Sequence, residues 1–279
     1  MISGTTRLAA VIGTPIRHSL SPAIFNAAFI AAGLDWAYLA FEVAEGDAPR
    51  ALDGMRAFGF GGLSVTMPHK DAVSRLVDTC TPEARALGAV NCVFPSGDGL
   101  VGANTDGPGF IDAVREELGC EVAGMRVVVL GAGGAARAIA VAVAAAGADE
   151  VVIVNRTEDR ANAAAALAGP AGRVGGTDAV ASADLVVNAT SVGMGDGGSP
   201  IPPDSLRAGQ LLADIVYHPS PTSLVEAATA SGVRAINGLG MLVHQAAHAF
   251  TLWTGMDAPI GAMRDAARAE LEHRSRESH

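Results

Sequence analysis

The chain has 279 residues, 49% of them apolar and only 4% aromatic, so its core must be built mainly from aliphatic side chains. A mean hydropathy of +0.32 excludes a disordered polyampholyte, and the length predicts one large or two medium domains. The net charge of −10 excludes a chain-wide nucleic-acid or anionic-membrane footprint.

No run reaches the roughly 18 apolar residues of a membrane span. The early run Leu8 to Ile12 is shorter than the apolar core of about 7–15 residues in a secretory signal. Cys80, Cys92 and Cys120 are odd in number and form no Cys-x-x-Cys pair. Neither a disulfide framework nor a structural zinc is expected, and a reducing, cytoplasmic setting fits.

In chain order, residues 8–12 predict a buried strand closed by Gly13 and Pro15. Ser21 is expected to cap a helix whose first turn holds Pro22, and Gly33 to end it. Residues 36–43 predict a second strand, 47–57 a helix and 63–66 a third strand. Strands alternating with helices imply a mainly parallel sheet covered on both faces. A second set of such units begins with the β-branched run 125–130, followed by an alanine-rich helix ending at Gly147. Further strands are expected at 151–154, 183–190 and 211–216. A domain boundary is therefore placed between about 105 and 120. The tail is expected to be helical over 241–253 and 260–275.

Gly131-Ala132-Gly133-Gly134-Ala135-Ala136 matches G-x-G-x-x-G/A directly after a strand and at the start of a helix. The first glycine permits a tight turn, the second lets backbone approach a pyrophosphate, and the helix N-terminus offers N–H groups to the anion. In this context a dinucleotide site is favoured over an ordinary glycine-rich turn. NAD sites carry an acidic residue about 20 residues on, for the ribose 2′-hydroxyl. Here Asn155 stands at the end of the next strand, followed by Arg156, Thr157 and Arg160. Two guanidinium groups and a hydroxyl suit a 2′-phosphate, so NADP is expected rather than NAD. Otherwise the two arginines are solvated charges, set unfavourably at the positive end of a helix dipole.

Lys70 is the sole lysine of the chain; the other basic residues are arginines. Lysine, unlike arginine, holds a proton that a protein can make labile. It lies in Gly62-Leu63-Ser64-Val65-Thr66-Met67-Pro68-His69-Lys70. Further polar turns are Gly88-Ala89-Val90-Asn91, Asn104-Thr105-Asp106-Gly107, Asn188-Ala189-Thr190-Ser191, Asp214-Ile215-Val216-Tyr217-His218-Pro219 and Gly238-Leu239-Gly240 leading to His244-Gln245.

With these motifs in this order the chain resembles the shikimate dehydrogenase family from Gly13 to the turn at Gly255. The resemblance implies an α/β fold of two domains. Residues 1–106 would form a substrate domain with a mainly parallel sheet, completed by helices 240–279 that return to it. Residues 107–239 would form a Rossmann-like NADP-binding domain. It implies NADPH-dependent reduction of 3-dehydroshikimate to shikimate in aromatic amino acid biosynthesis, with Lys70 and Asp106 as the catalytic pair. Ser19 and Ser21 match serines that hold the substrate carboxylate, and Tyr217 a tyrosine near it. Thr66, Asn91, Asp106 and Gln245 match polar groups around the ring hydroxyls. Gly131 to Ala135 and Asn155 to Arg160 match the cofactor segments, and Thr190, Ile215 and Gly238 the nicotinamide end. The partner expected is a small molecule, with no nucleic acid, membrane or metal, in a monomer or homodimer.

Hydride reduction of a ketone builds negative charge on oxygen, which needs a proton or cation nearby. Lys70 supplies either. Three positions depart from the family pattern: Ser64 where Asn usually precedes Val-Thr, Phe25 where His often precedes Asn26, and Cys92 where Thr usually follows Asn91. Ser64 bears on ring-hydroxyl selectivity.

His244 and His248 have a spacing a metal could use, but no third ligand is evident, and buried satisfied histidines are favoured. His18 and His69 flank the polar segments and are not favoured as proton donors. Met194 and Met241 are expected to pack at the nicotinamide end or in the core. A serine hydrolase is disfavoured because no Gly-x-Ser-x-Gly elbow is present. The rivals are an NAD-using quinate/shikimate paralogue and a non-catalytic NADP-binding sensor. The first is opposed by Asn155, the second by the Lys70 and Asp106 pair.

Overall fold

The structure, a computed structural model, describes residues 2–195 and 197–277. It divides into two compact units. The first comprises Met1–Thr105 and Gln245–His279, the second Asp106–His244. The divisions fall between Thr105 and Asp106 and between His244 and Gln245, the latter inside a C-terminal helix.

The first unit contains strands Arg7–Gly13 (β1), Trp36–Glu42 (β2), Gly62–Val65 (β3), Thr79–Cys80 (β4), Cys92–Ser96 (β5) and Gly99–Ala103 (β6). Their order is β2-β1-β3-β5-β6-β4. β1 runs parallel to β2 and β3, and β4 parallel to β6. β5 is antiparallel to both β3 and β6. The sheet is therefore mainly parallel, as the strand–helix alternation implies, with β5 as the antiparallel exception. The cause is the hairpin joining β5 to β6. Ser96 pairs with Gly99, and Gly97 between them has φ +57°, as the first central residue of a type II′ turn requires.

One face of this sheet buries Ala10, Ile12, Leu63, Val65, Val93 and Leu100 beneath Leu52, Met55, Val73 and Ala84. These four belong to helices Ala48–Phe58 (α2), Lys70–Ser74 (α3) and Pro82–Leu87 (α4). Side chains alternate along a strand, so Ala9, Val11, Tyr38 and Ser64 serve the other face. There helix Ser21–Ala31 (α1) packs against Ile260–Glu277 (α10). Phe25, Phe29, Tyr38 and Trp253 fill the space between. Gly62 admits this packing: a Cβ there would collide with the Trp253 ring.

α1 corrects one expectation. Its N-cap is Leu20, with no side-chain cap, and Ser21 and Pro22 form its first turn. The Ser21 N–H is instead taken by Ser19 Oγ at 3.2 Å. That leaves the Ser21 hydroxyl free of capping duty. Gly33 follows the helix in the left-handed region, φ +67°, as expected.

The second unit holds strands Arg126–Leu130 (β7), Glu150–Val154 (β8), Gly172–Val174 (β9), Leu185–Asn188 (β10), Leu211–Asp214 (β11) and Arg234–Ile236 (β12). All five pairings are parallel. The order β9-β8-β7-β10-β11-β12 is the doubly wound 3-2-1-4-5-6 arrangement, whose strand order reverses between β7 and β10. Valines of β7, β8 and β10 are buried on both faces, as a covered parallel sheet demands. Leu224 and Ala228 of helix Ser223–Ala230 (α8) join the core on one of those faces. Helices Asp106–Ala113 (α5) and Gly134–Ala145 (α6) meet through small residues. A Cβ on Gly107 would lie 2.9 Å from that of Ala142. Among the described residues no helix is long and apolar enough to cross a membrane.

Candidate active site

In the first unit the polar residues gather where β1 and β3 end and β5 and β6 cross beside them. The Val65 N–H donates to the Asn91 carbonyl (2.8 Å), and the Thr66 N–H to that of Ile12 (3.0 Å). The chain then turns, and Lys70 opens the short helix α3. Two contacts fix that helix start. The buried His69 ring donates through Nε2 to the Val43 carbonyl at 2.9 Å, and the Lys70 carbonyl accepts the Val90 N–H at 3.0 Å. His69 is thus spent on a backbone contact that ties the start of α3 to Val43. Lys70 itself is half-buried.

Asn91, next to Val90, is buried and clamps Thr105. Its Nδ2 donates to Thr105 Oγ1 at 3.0 Å, and its Oδ1 accepts the Thr105 N–H at 2.8 Å. Asn104 donates to the Ala89 carbonyl at 3.1 Å. Asn104 and Thr105, the last residues of this stretch of the first unit, are therefore tied to the segment that anchors Lys70. Asp106 begins α5 in the second unit and is 6% exposed.

Ser19 and Ser21 lie in the turn before α1. Arg274 of α10 holds this turn from behind, donating to the carbonyls of His18 (2.6 Å) and Ser19 (3.1 Å), while Glu270 pairs with its Nε at 2.7 Å. Gln245 lies half-buried in helix Leu239–Thr254 (α9). His18 is exposed.

In the second unit the glycine-rich turn sits at the point where the strand order reverses. Gly131 has φ +110°, and a Cβ there would lie 2.9 Å from the Ala189 carbonyl oxygen. Gly133 is the N-cap of α6, extended and with no side-chain cap, and nothing stands within 4 Å of where its Cβ would be. The first amides of α6, from Gly134 and Ala135, are thus left for an outside acceptor. After β8, the Asn155 amide donates to the Thr157 carbonyl at 2.9 Å. Arg156, Thr157 and Arg160 are exposed around the start of helix Glu158–Leu167 (α7). Glu158 and Asp159 in its first turn complement the helix dipole. This open turn with a cationic flank fits a phosphorylated dinucleotide.

Beyond β10 and β11 a buried network fixes the two following loops. Asn188 Nδ2 donates to Asp214 Oδ1 at 2.8 Å, and Asn188 Oδ1 accepts the Thr190 hydroxyl at 2.7 Å. Asp214 also accepts the Val216 N–H (3.1 Å) and the Thr222 hydroxyl (2.7 Å). Burial pushes the Asp214 carboxyl above its usual range, against the pull of these three donors. Gly238 donates to the Val216 carbonyl at 3.2 Å, and a Cβ there would strike the Ile215 carbonyl. Thr190, Ile215, Tyr217 and Gly238 therefore sit on loops held by one network. Met241 is in the core of this unit, while Met194 is exposed. His244 is buried and bonds Glu116 at 2.6 Å. Among the described residues no group of His, Cys, Asp or Glu could hold a metal. None of the three cysteines forms a disulfide.

Sequence reasoning overlooked Tyr38, Asn26, Arg274 and the Asp214–Thr222 pair. Asp214 stood within a polar turn that was noticed, and Asn26 within a quoted pattern. Nothing in the sequence marks Arg274, which lies in a charged helix far from the turn it holds.

Residues 11–93 match the model for the shikimate dehydrogenase substrate binding domain, 112–193 that for shikimate / quinate 5-dehydrogenase, and 238–268 that for the shikimate 5′-dehydrogenase C-terminal domain. The chain is 47% identical over 274 residues to the protein named shikimate dehydrogenase (NADP(+)) of Moorella thermoacetica, covering 94% of this chain and 92% of that one. Its fold is similar to the crystal structure of shikimate 5-dehydrogenase from Thermus thermophilus in complex with NADP(H) and shikimate (TM-score 0.89, 39% identity, 94% and 99% coverage). It is also similar to quinate dehydrogenase from Corynebacterium glutamicum in complex with NAD (TM-score 0.88, 33% identity, 95% and 99% coverage). The chain belongs to the shikimate dehydrogenase family.

Proposed function

We propose that this protein reduces 3-dehydroshikimate to shikimate, reversibly, with NADPH, and that Lys70 and Asp106 carry the proton chemistry. The observation that supports the reading most is the position of Lys70. The only lysine in the chain opens α3 and is held to the Val90–Asn91 segment by its own backbone carbonyl.

Bound NADPH supplies the hydride. The protein must then supply a proton, so that a ketone, one hydride and one proton give a secondary alcohol. In this reading the Lys70 ammonium delivers that proton and stabilises the developing oxyanion, and takes a proton up in the reverse direction. Asp106 accepts a hydrogen bond from the adjoining ring hydroxyl. Ser19, Ser21 and Tyr217 take the carboxylate, and Thr66, Asn91 and Gln245 the ring hydroxyls. A site that hydrogen-bonds each hydroxyl rejects analogues that lack one, because a buried partner would be left unpaired. Gly131 to Ala135 cradle the pyrophosphate, Arg156, Thr157 and Arg160 take the 2′-phosphate beside Asn155, and Thr190, Ile215 and Gly238 border the nicotinamide.

Lys70→Ala and Asp106→Ala test the reading. Each should lower kcat by about 10²–10⁴-fold, the usual worth of positioned acid–base catalysis. Near-normal turnover in either variant contradicts the assignment.

A further inference from the structure

Most arginines of this acidic chain are spent on a carboxylate, a backbone carbonyl or a ring. Among the described residues, those whose guanidinium has no such partner are Arg75, Arg85, Arg156, Arg160 and Arg268. Arg156 and Arg160 flank the start of α7, where a cofactor phosphate is expected, and Arg268 lies on α10. Arg75 and Arg85 line one cleft of the first unit.

The cleft measures about 330 Å³, within the range of small-molecule sites. Arg75 is the C-cap of α3, and Arg85 stands in the last turn of α4. Both are exposed. Between these helices Val77, Cys80 and Ala84 supply apolar wall. Asp78 is the one acid on the walls, and its charge is already met. Its Oδ2 accepts the Leu100 N–H at 2.6 Å and an Arg56 N–H at 2.7 Å. These donors, the Leu100 amide first, hold its carboxyl below the usual range. The Ser74 hydroxyl donates to the carbonyls of Asp71 and Gly88 at 2.8 and 3.0 Å, and the Cys80 thiol to the Ser74 carbonyl at 3.4 Å. The walls are thus tied together without either guanidinium. Two unpaired positive charges stand beside apolar surface, and no wall residue has a part in the reaction proposed above.

We propose that this cleft is a second binding site, separate from those for substrate and cofactor, and that it takes a small organic dicarboxylate. The carboxylates meet Arg75 and Arg85, because a guanidinium presents parallel N–H donors that match a carboxylate. The carbon skeleton covers Val77, Cys80 and Ala84. A bare inorganic anion leaves that surface wet and is the poorer ligand.

Cys80 reports on the cleft from within, and the half-buried Cys120 of the second unit is the control. The full chain is treated with iodoacetamide at rising concentrations of adipate, and alkylation of each cysteine is followed by peptide mass spectrometry. Adipate should slow modification of Cys80 severalfold and leave that of Cys120 unchanged. Arg75→Ala and Arg85→Ala should each raise the adipate concentration for half protection roughly tenfold, the worth of a hydrogen bond to a charged group. Hexanoate, with one carboxylate, and inorganic phosphate, with no carbon skeleton, should protect only at higher concentrations. Protection is a ratio within each variant, so any change that a substitution makes in Cys80 reactivity cancels. No protection of Cys80, equal slowing at Cys120, half protection unmoved by both substitutions, or phosphate protecting as well as adipate overturns the proposal. If one variant does not fold, the other decides. The measurement needs no turnover, so its failure is distinguishable from failure of the functional reading.

Discussion

Asn91 and Thr105 exchange hydrogen bonds in both directions. The Asn91 amide donates to the threonine hydroxyl at 3.0 Å, and its carbonyl oxygen accepts the threonine N–H at 2.8 Å. Both residues are buried, where polar groups keep hydrogen-bond partners. Thr105→Val keeps the shape and removes the hydroxyl. It should destabilise the protein by about 1–3 kcal/mol and lower kcat, because the segment that anchors Lys70 loses its clamp. Denaturant midpoints and steady-state kinetics check this; unchanged values in both would show that the clamp is dispensable.

Arg274 makes a comparable demand from the far end of the chain. Its fork on the His18 and Ser19 carbonyls holds the turn that presents both serines. Arg274→Ala should raise KM for shikimate and leave KM for NADP unchanged. Arg274→Lys should restore little, because an ammonium lacks the planar fork. Full rescue by lysine would mean that charge alone suffices.

Arg156 is exposed beside the open turn of α6. Arg156→Ala should raise KM for NADP roughly tenfold and KM for NAD hardly at all, since only NADP carries the 2′-phosphate that a guanidinium pairs with. Equal effects on the two cofactors would remove Arg156 from the phosphate site.

Asp214 carries a pH signature. Burial raises its carboxyl above the usual range, so the folded chain binds that proton more tightly than the unfolded chain does. Its contribution is therefore most favourable below the ordinary carboxylate pKa and declines as pH rises through the raised folded value. Asn has no such titration. Between about pH 4 and pH 8, the unfolding midpoint of Asp214→Asn should gain on that of the unaltered protein as pH rises. A constant difference, of whatever size, would show that Asp214 is not titrating in this window.

Much of the fold is legible in the sequence because its local signals agree. The valine runs of β7, β8 and β10, the turn at Gly131 and the alanine-rich α6 each point to a doubly wound sheet, and the strands form where those runs lie. The first unit is less legible. The hairpin at Gly97 that sets β5 antiparallel has a turn signal, but β5 contains Pro95 and β4 is only Thr79–Cys80. Ser21 and Pro22 have the composition of a cap and a first turn, yet Ser19 takes the Ser21 N–H, a choice between two nearby hydroxyls that spacing does not settle. The glycines and polar turns of the candidate site stand out because they interrupt strand ends. The groups that support them do not. Tyr38 sits in an ordinary strand pattern, and its partner Ser64 lies two strands away. Asp214 meets Asn188 and Thr222 only through the sheet. Long-range pairs of this kind leave no period or spacing to read.

Which alcohol and which cofactor the protein turns over decides its function most directly. The measurement is the rate of nicotinamide reduction with shikimate and with quinate, each offered with NADP and with NAD. The highest kcat/KM is expected for shikimate with NADP. Preference for quinate with NAD, or cofactor binding without turnover of either acid, would contradict it.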